Sequence, residues 1–375
     1  MKNKIVFVTG TRADFGKLVS LINITKDLPD YDVTVFVTGM HLIEEYGSTF
    51  KEVERYFKEN MFLSPNHLQS TDMAIVCSET IKNFHNFILD RKPDLVIIHG
   101  DRVETLACAT VAALSNVRIC HIEGGEVSGT IDESIRHAVS KFSQIHLVCN
   151  QDAKNRLIQL GEKEEAIEVL GSPDIDLMFS KSLPDLNNIK DHYEIKFQNY
   201  AILIFHPTTT GLINTEKELN AILKAIEKSK MNYVIIYPNN DTGSDYIIKT
   251  YKKKNTNSNF RIIPSIEFKS FLVLLKNSRF IIGNSSAGIR EAPVYSVPTI
   301  NVGFRQNNRS KNKYVIDVGA NVNEIEMSIR KVDKLDLRDS MEFGDGKSAL
   351  KFKKYLLSKK WSLIPIQKEF NDLLN

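Results

Sequence analysis

Short apolar runs alternate with longer amphipathic stretches along almost the whole of this 375-residue chain. The runs fall at 5–9, 33–37, 95–99, 118–122, 145–149 and 168–170, then at 201–205, 233–237, 261–263, 280–282 and 299–302. Several are β-branched and apolar on both faces, so both faces must be covered, as in a parallel sheet between helix layers. Helical patterns lie between them at 15–28, 71–89, 103–114, 131–142, 216–228 and 268–276. That order predicts α/β architecture, doubly wound. The rhythm weakens between 170 and 200, where Gly171-Ser172-Pro173 ends a strand and Leu183-Pro184-Asp185 opens a polar stretch. A junction there gives two Rossmann-like domains, 1–180 and 181–345, with a helical tail over 346–375. No sequence repeat relates the halves; they match in rhythm alone.

Composition narrows the function classes. Hydrophobic residues make up 42% and charged residues 25%, which is ordinary for a globular protein and excludes a disordered one. Lys plus Arg (49) nearly balance Asp plus Glu (46), leaving +3 and no electrostatic footprint for nucleic acid or an anionic membrane. Lys252-Lys253-Lys254 reads as a solvated loop. The four cysteines, Cys77, Cys108, Cys120 and Cys149, lie in apolar segments and never as C-x-x-C, so buried thiols are expected rather than a zinc cage or a disulfide framework. There is no H-E-x-x-H metal motif and no G-x-S-x-G elbow, and the expectation is no metal and no cofactor. The N-terminal apolar run is too short for a signal segment, and no uncharged apolar stretch is long enough to span a bilayer; a cytoplasmic protein is expected.

In doubly wound sheets ligands sit beyond the carboxyl ends of the strands, and the chemistry-bearing residues follow the apolar runs. After the first comes Thr9-Gly10-Thr11-Arg12-Ala13-Asp14-Phe15-Gly16-Lys17, which is neither a Walker A loop nor G-x-G-x-x-G. It predicts a glycine turn into a helix, with N–H groups, Arg12 and Lys17 disposed toward an anion; a plain βα turn is the bland alternative. His99-Gly100-Asp101-Arg102 follows the third strong run, where Asp101 alone reads as a helix cap. The next ends in Glu123-Gly124-Gly125, and Asp132 and Arg136 stand four apart on a helix, where a surface ion pair is the simple reading. Taken together, three carboxylates at adjacent strand ends offer acid and base roles, since close like charges separate one another's proton affinities. In the second half, His206 ends a strand before Pro207-Thr208-Thr209-Thr210-Gly211, and Tyr237-Pro238-Asn239 ends another. Ile282-Gly283-Asn284-Ser285-Ser286-Ala287-Gly288 predicts a phosphate cradle opening a helix, with Glu291 one to two turns in and able to accept from a vicinal diol. A capped helix with a solvated Glu291 is the plainer option. Arg305 adds a cation.

As a set, the residues at 8–17, 99–102, 121–137, 237–243 and 283–293 resemble the hydrolysing UDP-N-acetylglucosamine 2-epimerases of bacterial sialic acid synthesis. The resemblance spans about 4–310 and resumes at Phe343-Gly344-Asp345-Gly346. It implies a glycosyltransferase-B-like fold with an interdomain cleft, the tail helix returning to the N-terminal domain, and a homodimer or dimer-based oligomer. Asp101, Glu123, Asp132 and His206 match catalytic or substrate-contacting positions. Ser285 and Ser286 would hold the diphosphate of UDP, Glu291 the ribose, and the 264–268 loop uracil. Arg12 and Arg305 would add charge, Arg102 and Asn239 further contacts, with Lys17 and Arg136 completing the substrate-binding set. Phe304 departs from the small polar residue of the family pattern. The implied reaction takes a UDP-sugar substrate and water to N-acetylmannosamine and UDP through 2-acetamidoglucal. Alternatives are an epimerase for a UDP-diacetamido-trideoxyhexose of the legionaminic acid pathway, a non-hydrolysing 2-epimerase, a glycosyltransferase and a nucleotide-sugar sensor.

Overall fold

The computed structural model describes residues 2–66, 72–128, 130–208, 212–306, 314–332, 335 and 340–373. They form two compact units: one from Met1–Glu126, Asp132–Ser180 and Phe343–Asn375, the other from Val127–Ile131 and Lys181–Glu342.

The first unit is built on seven parallel strands: β1 (Asn3–Thr9), β2 (Tyr31–Val37), β3 (Met61–Leu63), β4 (Leu95–His99), β5 (Arg118–Ile122), β6 (Ile145–Val148) and β7 (Ile167–Val169). Their spatial order is β3-β2-β1-β4-β5-β6-β7. The second unit has six, β8 (Ala201–Ile204), β9 (Tyr233–Ile236), β10 (Phe260–Ile263), β11 (Ile281–Gly283), β12 (Thr299–Val302) and β13 (Val315–Val318), in the order β10-β9-β8-β11-β12-β13. Each sheet therefore winds outward from its first strand in one direction and then reverses. The reversals fall between β1 and β4 and between β8 and β11, where neighbouring connections leave in opposite directions and open a crevice.

Burial explains why the central runs are strands. Every residue of β4 and of β8 is buried, and Ile97, Ile98, Ile202 and Leu203 are wholly so; each contributes roughly 1.5–3 kcal/mol by leaving water. Helices Met73–Arg91 and Val103–Leu114 cover one face of the first sheet through Phe84, Phe87, Cys108 and Ala112. Gly283 sits at the second reversal with φ +129°, and a Cβ there would stand 1.9 Å from the carbonyl oxygen of Ile204. No other residue lets β11 approach β8 so closely.

The strands β3 and β13 and several short helices lie outside the sequence expectation, among them Pro173–Met178 and Leu186–His192 in the stretch read as polar and mixed. Lys252 and Lys253 form the last turn of helix Ser244–Lys253 rather than a loop, a place where cations meet the negative end of the helix dipole. The helix expected from residue 71 runs Met73–Arg91, capped by Asp72, whose carboxylate accepts from the Ala74 amide at 2.8 Å; Thr71 lies outside the described residues. All four cysteines are free thiols, three of them buried.

The chain's last segment belongs to the first unit. Asp176 accepts the amides of Ser348 and Ala349 at 2.8 and 2.7 Å, capping helix Ser348–Leu357 from outside its own sequence. The Tyr31 hydroxyl donates to the Leu356 carbonyl at 2.7 Å, and Arg118 donates to the carbonyls of Ser362 and Ile364. Further on, Lys368 joins His146 and Lys141 around buried Glu162. Burial alone would raise that carboxyl; hydrogen bonds from His146 and Lys368 overcome it and hold it at about 2. Among the described residues no helix is long and apolar enough to cross a membrane.

Candidate active site

The first unit's site grows from the ends of β1, β4, β5 and β7. Beyond β1 the loop's amides have a partner within the chain. Thr11 and Asp14 form a reciprocal capping box, and the Asp14 carboxylate takes the amides of Gly10 at 3.0 Å and of Thr11 at 3.1 Å. The loop's N–H groups thus serve an internal anion. Arg12 opens helix Arg12–Lys26 and pairs with Glu52 at 3.0 Å. Lys17, one turn on, is buried and stands 3.0 Å from Glu123 and 4.0 Å from Asp174.

Glu123 is the centre of this cluster. It follows β5 with φ +68°, a left-handed conformation that costs a non-glycine residue about 1 kcal/mol or more. Its Oε1 lies 3.0 Å from Lys17 Nζ, 3.2 Å from His99 Nε2 and 3.3 Å from Ser172 Oγ. The adjoining turn needs glycine: Gly125 has φ +76°, and a Cβ there would meet the Ala153 carbonyl oxygen at 2.1 Å. Glu126 and Cys149 bring ligand atoms within 4.8 Å of Glu123. A metal could use such a trio, but the Lys17 ammonium already supplies positive charge to the same carboxylate.

Asp101 is not a helix cap. Helix Val103–Leu114 begins at Arg102 without a side-chain cap, and Asp101 is ion-paired to Arg136, which is 1% exposed. Arg136 also donates to the Glu126 carbonyl at 3.2 Å, so one buried guanidinium ties the β4 end to the β5 loop. Arg102 pairs with buried Glu104 at 3.1 Å. Asp132, half-buried, sits in the first turn of helix Ile131–Phe142, where the dipole favours a carboxylate. Beneath the Gly100 turn, His121 bonds the Gly100 carbonyl at 2.8 Å and Ser140 at 3.1 Å; burial lowers it to about 3, so it is a neutral strut. His99 lies in the His99-Gly100-Asp101-Arg102 segment and Ser172 at a strand end, but the sequence assigns neither a role, and Asp174 carries no motif. Their sole signal is position just before or after a strand end.

The second unit's site is organised by Asn284, buried just beyond β11. Its side chain accepts from the His206 amide at 2.7 Å and donates to the His206 carbonyl at 2.9 Å, locking together the ends of β8 and β11. Arg305 and Gln306 both donate to the Asn284 carbonyl, at 3.2 and 3.0 Å. The Asn239 amide donates to His206 Nδ1 at 3.0 Å, so a neutral His206 carries its proton on Nε2. Ser285 and Ser286 are half-buried, and Ser285 Oγ accepts the Ala287 amide at 3.3 Å. Glu291 is buried, not solvated, and closes a helix of a single turn, Ala287–Arg290, shorter than the sequence predicts because a 3-10 turn, Ala292–Tyr295, with Pro293 near its start, follows at once. Thr208 is fixed by Thr215 at 3.0 Å, while Thr209, Thr210 and Gly211 lie outside the described residues. In the 264–268 loop, Pro264 is exposed and Phe268 buried.

Both sets of strand ends flank the reversal of their own sheet, and over residues 24–357 the sequence matches the family model for UDP-N-acetylglucosamine 2-epimerase. The chain belongs to that family. It is 43% identical over 374 residues, 99% of each chain, to the UDP-N-acetylglucosamine 2-epimerase of Neisseria meningitidis serogroup B. With the hydrolysing UDP-N,N'-diacetylbacillosamine 2-epimerase of Legionella pneumophila it shares 34% over 355 residues, 93% of this chain and 94% of the relative. Its fold is that of the Methanocaldococcus jannaschii UDP-GlcNAc 2-epimerase, whose crystal structure holds UDP-GlcNAc and UDP: the TM-score is 0.82 at 22% identity, over 95% of this chain and 99% of that one. The two doubly wound units make this epimerase glycosyltransferase-B-like.

Proposed function

We propose that this family member is a hydrolysing 2-epimerase that converts UDP-N-acetylglucosamine and water to N-acetylmannosamine and UDP. One observation carries the reading: Asp101 and Glu123, at the ends of adjacent strands, are each anchored to a separate buried cation, Arg136 and Lys17. Two independently held carboxylates suit a reaction with two proton transfers at one carbon.

In the α-linked substrate the C1–O bond and the C2–H bond are axial on opposite faces, so UDP can leave anti to the C2 proton. That proton has no carbonyl on its own carbon and is weakly acidic. Stabilisation of the departing diphosphate must therefore supply most of the barrier reduction. Ser285, Ser286 and Arg305 are the groups for it, with Glu291 accepting from the ribose hydroxyls. A carboxylate among Asp101, Glu123 and Asp132 takes the C2 proton and gives 2-acetamidoglucal. Water then adds at C1, and a proton returns to C2 on the opposite face, which requires a second proton-handling group. His206, oriented by the Asn239 amide at Nδ1, is a further contact to the sugar or phosphate.

The experiment is turnover of UDP-N-acetylglucosamine in D2O and in H2-18O, read by NMR and mass spectrometry. Solvent deuterium is expected at C2 of the product, and 18O at C1 but not in UDP. A product that keeps protium at C2 overturns the mechanism, because elimination removes that hydrogen. The same assay with the UDP-diacetamido sugar tests the reading favoured by the 34% relative. Faster turnover of that substrate would replace the one proposed.

A further inference from the structure

The geometry points to Asp174 as a positioning residue that acts on Glu123 through Lys17, without touching substrate. It rests on the reading of Glu123 as a proton-handling group. Asp174 is wholly buried, in the first turn of helix Pro173–Met178. Its Oδ1 accepts the Ile175 amide at 3.1 Å, while its Oδ2 is buried with no hydrogen bond. Among the described residues the cation that reaches it is Lys17, at 4.0 Å. A carboxylate with no exposure is expensive to hold unless a partner charge offsets it. Here the partner is the ammonium that also holds Glu123, so Lys17 lies between two acids and bridges them. The Ile175 amide accounts for Oδ1 but not for Oδ2, which lies on the lysine side.

One short loop feeds both sides of that bridge. Ser172 donates to Glu123 Oε1 at 3.3 Å, and Asp174, two residues later, faces Lys17. The loop is itself fixed: the Ser172 amide donates to the Phe343 carbonyl at 2.6 Å, the Ser348 hydroxyl donates to the Ser172 carbonyl at 3.1 Å, and Asp176 caps the tail helix. The tail thus holds the loop, the loop holds Lys17, and Lys17 sets where Glu123 points and how much positive charge it sees. The groups facing this pair are Lys17 from the first helix, His99 from β4, Asp174 and Ser172 from the loop, and Glu126 and Cys149 beside Glu123.

Asp174→Asn keeps shape and removes charge. With one negative charge gone, Lys17 releases its proton more readily and Glu123 binds one less readily. Both limbs of the kcat–pH profile should therefore move to lower pH, by about 1 unit or more for a charge this close. kcat at neutral pH should fall about 10- to 100-fold, the usual scale for a group that orients a functional side chain, with KM and UDP affinity within about two-fold. Asp174→Glu, which restores the charge, should return the limbs to their original pH. Unmoved limbs in Asp174→Asn overturn the proposal, leaving only a buried helix residue. An arm without turnover separates this from the proposed reaction: Lys17→Gln strands Asp174 and should lower Tm more than the Lys17→Gln/Asp174→Asn double variant does. If the second substitution lowers Tm further, Asp174 and Lys17 are not coupled and the idea fails, whatever the substrate proves to be.

Discussion

The two units wind their sheets in the same order yet finish their strands with different chemistry. In the first, the strand ends are charged and paired: Lys17 with Glu123, Arg136 with Asp101, Arg102 with Glu104, Arg12 with Glu52. In the second they are mostly amides and hydroxyls, with Asn284 joining His206, Arg305 and Gln306 around Ser285 and Ser286. Ion pairs in a dry site tune when a proton is held or released. Neutral donors fix a ligand without such dependence. On the function proposed above, the same topology would serve proton chemistry in one unit and binding in the other, and the difference lies in a handful of side chains beyond the last strand residue.

The contrast breaks most sharply at the carboxylates. Asp101→Asn, Glu123→Gln or Asp132→Asn should each cut kcat by about 100- to 10,000-fold and leave calorimetric UDP affinity nearly intact. A matching loss of UDP affinity would abolish the division of labour. At least one of these variants should release 2-acetamidoglucal, detectable by NMR, where elimination survives and hydration is blocked.

Acid titration sharpens the same contrast through stability. In the first unit Glu162 is held at about 2, below its free value, so its contribution is present above about 4.5 and lost as pH falls toward 2. In the second unit Glu218 is raised to about 7 by burial, with Oε2 lacking a hydrogen bond and Gly303 packed against it. The folded form there binds more protons than the unfolded one, so stability falls as pH rises from about 4.5 to 7, by on the order of 2–3 kcal/mol. Glu218→Gln should raise Tm at pH 8 and change it little at pH 5. Equal effects at both would show that its charge is not the cause.

Smaller effects follow at the binding end and at the tail. Glu291→Gln and the Ser285→Ala/Ser286→Ala pair should each weaken UDP binding by about 1–3 kcal/mol, measured by calorimetry, with modest loss of kcat. Asp176→Asn, which weakens an external cap, should cost about 1 kcal/mol of stability in denaturant unfolding and leave UDP affinity unchanged.

Much of this was legible before any coordinates. Central strands announce themselves because both faces are apolar, and the carboxylates stand just beyond them. Two edge strands do not: Met61–Leu63 is apolar but only three residues long and largely half-exposed, and Val315–Val318 is half-exposed and interrupted by Asp317. Helix Leu186–His192 buries Ile189 alone, too little for a periodic pattern. At the site, pairing across the fold was invisible. Asp101 reads as a cap because its neighbours in sequence start a helix, whereas its partner lies 35 residues away. Asp14 looks like one more loop residue until its carboxylate is seen filling the nest that an external anion would need. Lys17 sits in a phosphate-loop pattern but turns inward, and nothing local in sequence distinguishes the two directions.

Because Phe343–Asn375 completes a unit begun at the other end of the chain, order of synthesis matters. On the ribosome the second unit has all its strands before the first can close. Until Ser348 emerges, Ser172 and Asp176 lack the tail contacts that hold the segment leading to Asp174. The unit that carries Asp101 and Glu123 is started first and finished last, so on the function proposed above a nascent chain would complete its UDP-binding unit before its proton-handling one.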